Sequence, residues 1–374
     1  MNAHGMEHGV VYRNDGEFCA WPFNGGFWQF ADGELAVSFM RAPCTYATPG
    51  SVGHNAIDQN MCQQIIIRSF DGGATWPVET VETVFQRAVL DDQVAATSWV
   101  PGLPALNNRN PSADGFCLVA GYGIPPESLR DRLYVLVSTD RGHTWAPMVR
   151  VPPCGFFALY GRPSAIVRPD GMLLLFAHGS RLNVPAGETA GFTPAEKEAI
   201  PLVFGSRNGG YTWGLIGEIT PSPTQPMAIM PYPILLRDGR ILAAVRRQYG
   251  AAYNAHTQVY ESDDGGRSWR FLSRPNDWGA PANLVELPDG RLVCVYGYRQ
   301  PPYGVRATVS RDGGRTWGDE IVLRDDGGSW DLGYPRTMLR PDGKLVTVYY
   351  FNGKSDSIQQ DGGVRHIAFT IWSV

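Results

Sequence analysis

The sequence predicts an all-β chain, a single six-bladed β-propeller over residues 1–374, with four antiparallel strands in each blade. Three observations predict it. An octapeptide recurs five times: "SFDGGATW" at 69–76, "STDRGHTW" at 138–145, "SRNGGYTW" at 206–213, "SDDGGRSW" at 262–269 and "SRDGGRTW" at 310–317. Asp-Gly pairs flanked by apolar runs stand at 32–33, 114–115, 170–171, 238–239, 289–290 and 342–343, and such a pair between two runs is a hairpin signal. The 44 Gly and 29 Pro are spread along the chain, as many short strands joined by tight turns require.

The octapeptides begin 69, 68, 56 and 48 residues apart, in the range of a four-stranded blade with variable loops. In each unit the Asp-Gly hairpin comes first and joins strands a and b. A loop follows, then strand c runs into the octapeptide, and strand d leaves it. The sixth unit has its hairpin at 342–343 and the strand "VRHIAFTIWSV", after which the sequence stops. Its outer strand is expected from "HGVVYRN" near the N-terminus, residues 9–13 pairing with 365–373, which covers edges otherwise left open. Residues 185–201, "PAGETAGFTPAEKEAIP", read as a loop insertion in blade 3 with one helical turn. Within the octapeptide the Asp or Asn should accept backbone N–H groups, Gly should take a positive φ, and Trp should pack on the blade. The octapeptides are therefore structural turns, and their acidic residues are not catalytic candidates.

With 43% hydrophobic and 18% charged residues the chain buries a large core. A formal charge of −4 gives no reason to expect nucleic acid or an acidic membrane as partner. No run of apolar residues is long enough to span a bilayer. The start, "MNAHGMEHGVVYRN", has no basic region followed by an apolar stretch, which favours the cytoplasm; a chain whose signal had been removed would read the same. Cys19, Cys44, Cys62, Cys117, Cys154 and Cys294 form no CxxC pair and are expected reduced and largely buried. No HExxH, Asp-rich calcium loop or phosphate-cradling glycine loop is present, so no metal and no cofactor is expected. The oligomeric state is not legible.

Five octapeptides of this form and spacing resemble the Asp boxes of the sialidase superfamily, over essentially the whole chain. That resemblance implies an active site on the face opposite the boxes, built from the starts of the inner strands and the b–c loops. It implies an Asp in the b–c loop of blade 1 as general acid/base, a Tyr at the start of the last inner strand as nucleophile, an assisting Glu, and three arginines gripping a substrate carboxylate. Asp58, in "RAPCTYATPGSVGHNAIDQNMCQQ", resembles the acid/base by position. Tyr334, in "WDLGYPRTMLRPDG", resembles the nucleophile. A neutral phenol can attack near a carboxylate-bearing carbon without charge repulsion, and sialidases depart from the two-carboxylate rule. Arg246 in "ILAAVRRQYG" and Arg299 in "VCVYGYRQPPYG" end the second strands of blades 4 and 5 and suit bidentate carboxylate binding. Arg247 is adjacent and should point to the other side of the strand, so one of the pair should line the cleft. Arg162, in "LYGRPSAIVRPDG", begins the inner strand of blade 3 and joins the substrate-binding set.

The chain also departs from the family pattern. "AWPFNGGFWQF" stands where the first inner strand would carry an arginine, and no carboxylate stands near Met230 or Pro231 in "MAIMPYPILL", where the assisting Glu would fall. His54, His178 and His256 are placed in mouth loops and add groups able to take an α-proton from a uronate. Three functions stay open: an exo-acting glycoside hydrolase of sialidase type on an acidic sugar, a uronate-directed polysaccharide lyase, and a propeller that binds a glycan or protein without chemistry. In the first two, the partner is an acidic carbohydrate.

Overall fold

The computed structural model describes residues 4–48, 52, 57–58, 61–86, 110–122, 133–182, 198–220 and 227–374. Strand β1 (His4–Tyr12) opens the chain and belongs to the last blade. Blade 1 follows with β2 (Glu17–Ala20), one helical turn α1 (Pro22–Gly25), β3 (Gly26–Gln29), β4 (Leu35–Pro43), β5 (Gln63–Ser69) and β6 (Glu82–Gln86). Strands β2 and β3 both pair with β4, so together they form one inner strand broken by the helical turn. The described part of blade 2 is β7 (Cys117–Tyr122), β8 (Leu133–Ser138) and β9 (Val149–Arg150).

Blade 3 holds β10 (Ala158–Val167), β11 (Leu173–Ser180), β12 (Ile200–Ser206) and β13 (Gly214–Glu218). Blade 4 holds β14 (Met227–Leu235), β15 (Ile241–Gln248), β16 (Ala255–Ser262) and β17 (Arg270–Ser273). Blade 5 holds β18 (Ala282–Glu286), β19 (Leu292–Tyr298), β20 (Gly304–Ser310) and β21 (Ile321–Arg324). Blade 6 runs β22 (Gly333–Leu339), β23 (Leu345–Phe351), β24 (His366–Ser373) and then β1. The chain is thus a six-bladed β-propeller, closed by antiparallel pairing of its two ends, with Gly9 opposite Phe369 and Val10 opposite Ala368. Most of the stretch 185–201, read as an insertion with a helical turn, lies outside the described residues.

Both repeated turns have a local cause. In the a–b hairpins Gly33, Gly171, Gly239, Gly290 and Gly343 take φ between 77° and 92°, where a Cβ would be strained. The preceding Asp turns its carboxylate back onto the N–H two residues on, at 3.0 Å in Asp238–Arg240 and 3.1 Å in Asp289–Arg291. Every octapeptide sits between strands c and d. In the fourth, Ser262 Oγ donates to Asp264 Oδ1 (2.9 Å) and accepts from Gly266 N (2.9 Å). Asp264 also accepts from Arg267 N (3.0 Å) and Ser268 N (2.9 Å), and Trp269 Nε1 donates to Gly266 O (3.0 Å). These donors hold the Asp264 carboxyl down at about 2, against the opposing effect of burial, and that of Asp312 in the fifth turn is likewise lowered to about 2.

The described chain divides into two compact units, one of residues 1–88, 251–257 and 274–374, the other of residues 89–250 and 258–273. In the first, blades 5 and 6 bury Val293, Val295, Val305 and Leu323 against Leu345, Tyr349, Phe351 and Trp372. In the second, blades 3 and 4 bury Leu174, Phe176 and Val203 against Ala228, Ala243 and Val245. All six cysteines are free thiols; five are buried and Cys154 is exposed.

Candidate active site

Four of the inner strands, those of blades 1, 3, 4 and 6, share a break that sequence reading did not anticipate. Opposite Phe39, Val245 and Tyr349 of the second strands, the ladder register slips at Trp21–Gly25, Met230–Pro231 and Tyr334–Pro335. Blade 3 slips in the same way opposite Ala177. Trp21, Met230 and Tyr334 take left-handed φ of 62°, 54° and 52°, which costs a residue with a Cβ on the order of 1–2 kcal/mol. Each is followed by proline, which has no N–H to give the ladder and which bars the ordinary helical conformation to the residue before it. The break therefore follows from composition, and strained backbone of this kind concentrates where side chains must be aimed. A signal was in the sequence. Pro22, Pro163, Pro231 and Pro335 stand 10, 7, 7 and 7 residues before the Asp of the following Asp-Gly turn.

In the first unit the break of β22 places Tyr334 in a buried cluster. Its exposure is 2%, with the Tyr350 ring at 5.7 Å and the Phe23 ring edge-on at 6.1 Å. The Arg299 guanidinium lies 5.1 Å from the Tyr334 ring centre and 5.6 Å from that of Trp330. Arg299 Nη2 donates to Leu332 O (3.0 Å) and Tyr350 Oη (3.2 Å), and Tyr350 Oη donates to Asp331 Oδ1 (2.7 Å). Behind Asp331, Arg365 Nε approaches Oδ2 at 3.4 Å, while Arg365 Nη1 and Nη2 donate to Gly363 O (2.8 Å) and Ser329 Oγ (3.0 Å). Burial opposes the charge on Arg299, but Tyr350, Tyr334 and Asp331 outweigh it and its pKa is raised. Burial first, and the Asp331 carboxylate second, push the Tyr350 phenol well above the usual tyrosine range. Among the described residues Arg299 and Arg365 both approach the Asp331 carboxylate side of this cluster, and Arg336 lies over the Phe23 ring at 5.3 Å.

Arg246 belongs to the second unit. It lies on β15 opposite Ile229, and its Nη1 approaches Met230 Sδ at 3.7 Å. A thioether thus packs on the guanidinium where the family resemblance implied a carboxylate nearby. Met230 N–H donates to His178 Nδ1 at 3.5 Å. Arg247 is also buried; its Nε and Nη1 meet no hydrogen-bond partner among the described residues, and burial lowers its pKa with only Tyr260 and Tyr249 opposing.

Of the residues singled out from sequence, the structure brings Arg299 and Tyr334 together. Asp58 is exposed in the loop before β5, where its carbonyl accepts from Met61 N at 3.1 Å. Arg162, expected to begin the inner strand of blade 3, stands in the middle of β10, at the register slip. His178 and His256 stand within β11 and β16 rather than in loops, and both are buried. His54 lies outside the described residues. Asp331, Tyr350 and Arg365 were not anticipated, although Trp330-Asp331 immediately precedes the last inner strand. Among the described residues no group of three or more His, Cys, Asp or Glu side chains gathers as a metal site.

Five octapeptide turns, four with Ser and Asp and one with Ser and Asn, on a six-bladed all-β scaffold define a sialidase-like propeller. The chain belongs to the BNR repeat-like domain family, matched over residues 106–347. It is 32% identical over 213 residues to a sialidase of Micromonospora viridifaciens, a match covering 50% of this chain and 31% of that protein. The chain spans less than a third of the length of the curated relatives it matches. Among solved structures it is similar to a protein of unknown function from Dyadobacter fermentans, with TM-score 0.73, 24% identity, and coverage of 99% of this chain and 100% of that one. It is also similar to a Trypanosoma rangeli sialidase mutant displaying trans-sialidase activity, with TM-score 0.59, 12% identity, and coverage of 99% and 59%. At these identities the two structures speak for the fold.

Proposed function

We propose that the chain is a glycoside hydrolase acting on a carboxylate-bearing sugar at the end of a glycan. The observation that carries this reading is the buried cluster around Tyr334, where the guanidinium groups of Arg299 and Arg365 gather near the Asp331 carboxylate. A sugar carboxylate would supply a matching negative charge, and a charge-assisted hydrogen bond to arginine contributes about 1.5–3 kcal/mol. The sialidase relative supports the same class. In this reading Asp58 protonates the leaving oxygen, and Tyr334 attacks the anomeric carbon or stabilises its developing positive charge. Arg299 holds the carboxylate. The first inner strand carries no arginine where the family pattern has one, so the proposed sugar differs from one that needs three arginines.

The test is a screen of acidic glycosides and uronate polysaccharides, read by reducing ends and by ultraviolet absorbance. The proposal expects new reducing ends without new absorbance. New absorbance would identify a lyase, since elimination creates a conjugated double bond, and neither signal would leave a binding propeller.

A further inference from the structure

The second unit buries an arginine with no opposite charge to answer it. Arg247 is 5% exposed, and its Nε and Nη1 meet no hydrogen-bond partner among the described residues. Other arginines buried as deeply have a carboxylate at hand. Arg68 pairs with Glu34 (2.8 Å) and Glu82 (2.9 Å), Arg306 with Glu320 (3.3 Å) and Arg365 with Asp331 (3.4 Å). The titratable groups beside Arg247 are instead two phenols, those of Tyr260 and Tyr249. A guanidinium kept out of water without a counter-charge is strongly unfavourable, and a water molecule can accept its N–H groups without neutralising it.

Alternation along β15 places Arg247 on the face of Ile241, Ala243 and Val245. Those three pack against Leu174, Phe176 and Val203 of blade 3. Ala228, directly opposite Arg247 on β14, and Tyr260 on β16 belong to the same buried cluster. Arg247 therefore ends the apolar seam between blades 3 and 4. Arg246 leaves the strand on the other side, where its Nη1 approaches Met230 Sδ. Tyr260 Oη donates to Gln258 Oε1 at 2.8 Å, so the phenol beside Arg247 is itself held in place. Tyr249, two residues beyond Arg247, is 52% exposed, so this end of the seam meets water.

We propose that Arg247 is the centre of a separate anion site, at the end of the seam between blades 3 and 4, that takes a small oxyanion, a carboxylate or a sulfate group. Such a ligand supplies the missing counter-charge, and its oxygens match the N–H donors that a guanidinium fixes in one plane. Tyr260 and Tyr249 line the approach. The site does not depend on the role given to Arg299.

The experiment titrates the full chain with sulfate and with acetate, at millimolar concentration and constant ionic strength in chloride buffer, and follows binding by calorimetry. At least one of the two should bind the wild type saturably, and which one binds tells a sulfate from a carboxylate site. Arg247→Met should weaken that binding about tenfold or more, because the charge-assisted donors are gone. Arg299→Lys should leave it unchanged, which separates this site from the one proposed around Tyr334. Melting temperatures give a second readout. Without either anion Arg247→Met should be at least as stable as the wild type, since methionine strands no charge, and the anion should raise the melting temperature of the wild type alone. No binding to the wild type, equal binding by Arg247→Met, or binding lost only in Arg299→Lys overturns the proposal. So does an Arg247→Met chain that fails to fold, because Arg247 would then be held by the fold itself.

Discussion

The chain contains two repeated devices, and they repeat different things. The octapeptide turns repeat side chains. Ser, Asp or Asn, and Trp return in every copy, and Ser Oγ meets the Asp or Asn Oδ1 in each, as in Ser69–Asp71 (2.8 Å) and Ser206–Asn208 (3.0 Å). The breaks of the inner strands repeat only backbone. Trp21, Met230 and Tyr334 share a left-handed φ and a following proline but share no chemistry. Where a repeat serves stability, every blade needs the same bonds. Where it serves a site, each blade must present something different from the same geometry.

If that contrast is right, variants of the two devices should fail differently. The largest effect is expected at the site: Asp58→Asn should slow turnover by about a hundredfold or more with thermal unfolding unchanged, because a general acid contributes about that much and Asp58 is exposed. Full activity in that variant would remove Asp58 from the mechanism. Next come the octapeptide tryptophans. Trp76 and Trp213 are each 7% exposed, and their replacement by alanine should cost about 3–5 kcal/mol in denaturant unfolding. Trp269, which packs on Phe176 at 5.8 Å but is only half-buried, should cost less. A folded Trp269 variant with wild-type stability and no activity would break the contrast.

A smaller effect is expected from pH. The carboxyls of Asp264 and Asp312 are lowered to about 2 in the folded chain, below the usual aspartate value near 3.8, and those of Asp71 and Asp140 are lowered as well. A depressed carboxyl contributes stability above its unfolded value and loses it as pH falls through the folded one. Melting temperature should therefore fall between the ordinary aspartate range and about 2. Asp264→Asn should flatten part of that fall, and a melting curve equally steep in the variant would show the titration lies elsewhere.

The fold was legible because its signals are short and local. An octapeptide and an Asp-Gly pair each fix their own turn, so strand order followed, as did the closure that sets Val10 opposite Ala368. The site was legible only in part. Arg299 and Tyr334 could be placed because strand ends of a propeller point one way. Asp331, Tyr350 and Arg365 could not, since their link runs through contacts made only after blade 6 is assembled, such as Tyr350 Oη to Asp331 (2.7 Å). His178 and His256 were read as loop residues because their strands run further than hydrophobic alternation suggested; both instead end up buried in strands. The proline breaks were written in the sequence at a regular spacing, but proline inside an apolar run ordinarily argues against a strand.

Arg299, presented beside Tyr334, is proposed to select a carboxylate-bearing sugar. The direct measurement compares wild type with Arg299→Lys for binding of an acidic sugar and its neutral counterpart, glucuronate and glucose, by calorimetry. Lysine keeps the charge but loses the planar fork that binds a carboxylate bidentately. The prediction is a preference for glucuronate in the wild type that falls by about tenfold or more in the variant, with glucose binding unchanged. Equal affinity of the wild type for both sugars, or a preference untouched by the substitution, would contradict it.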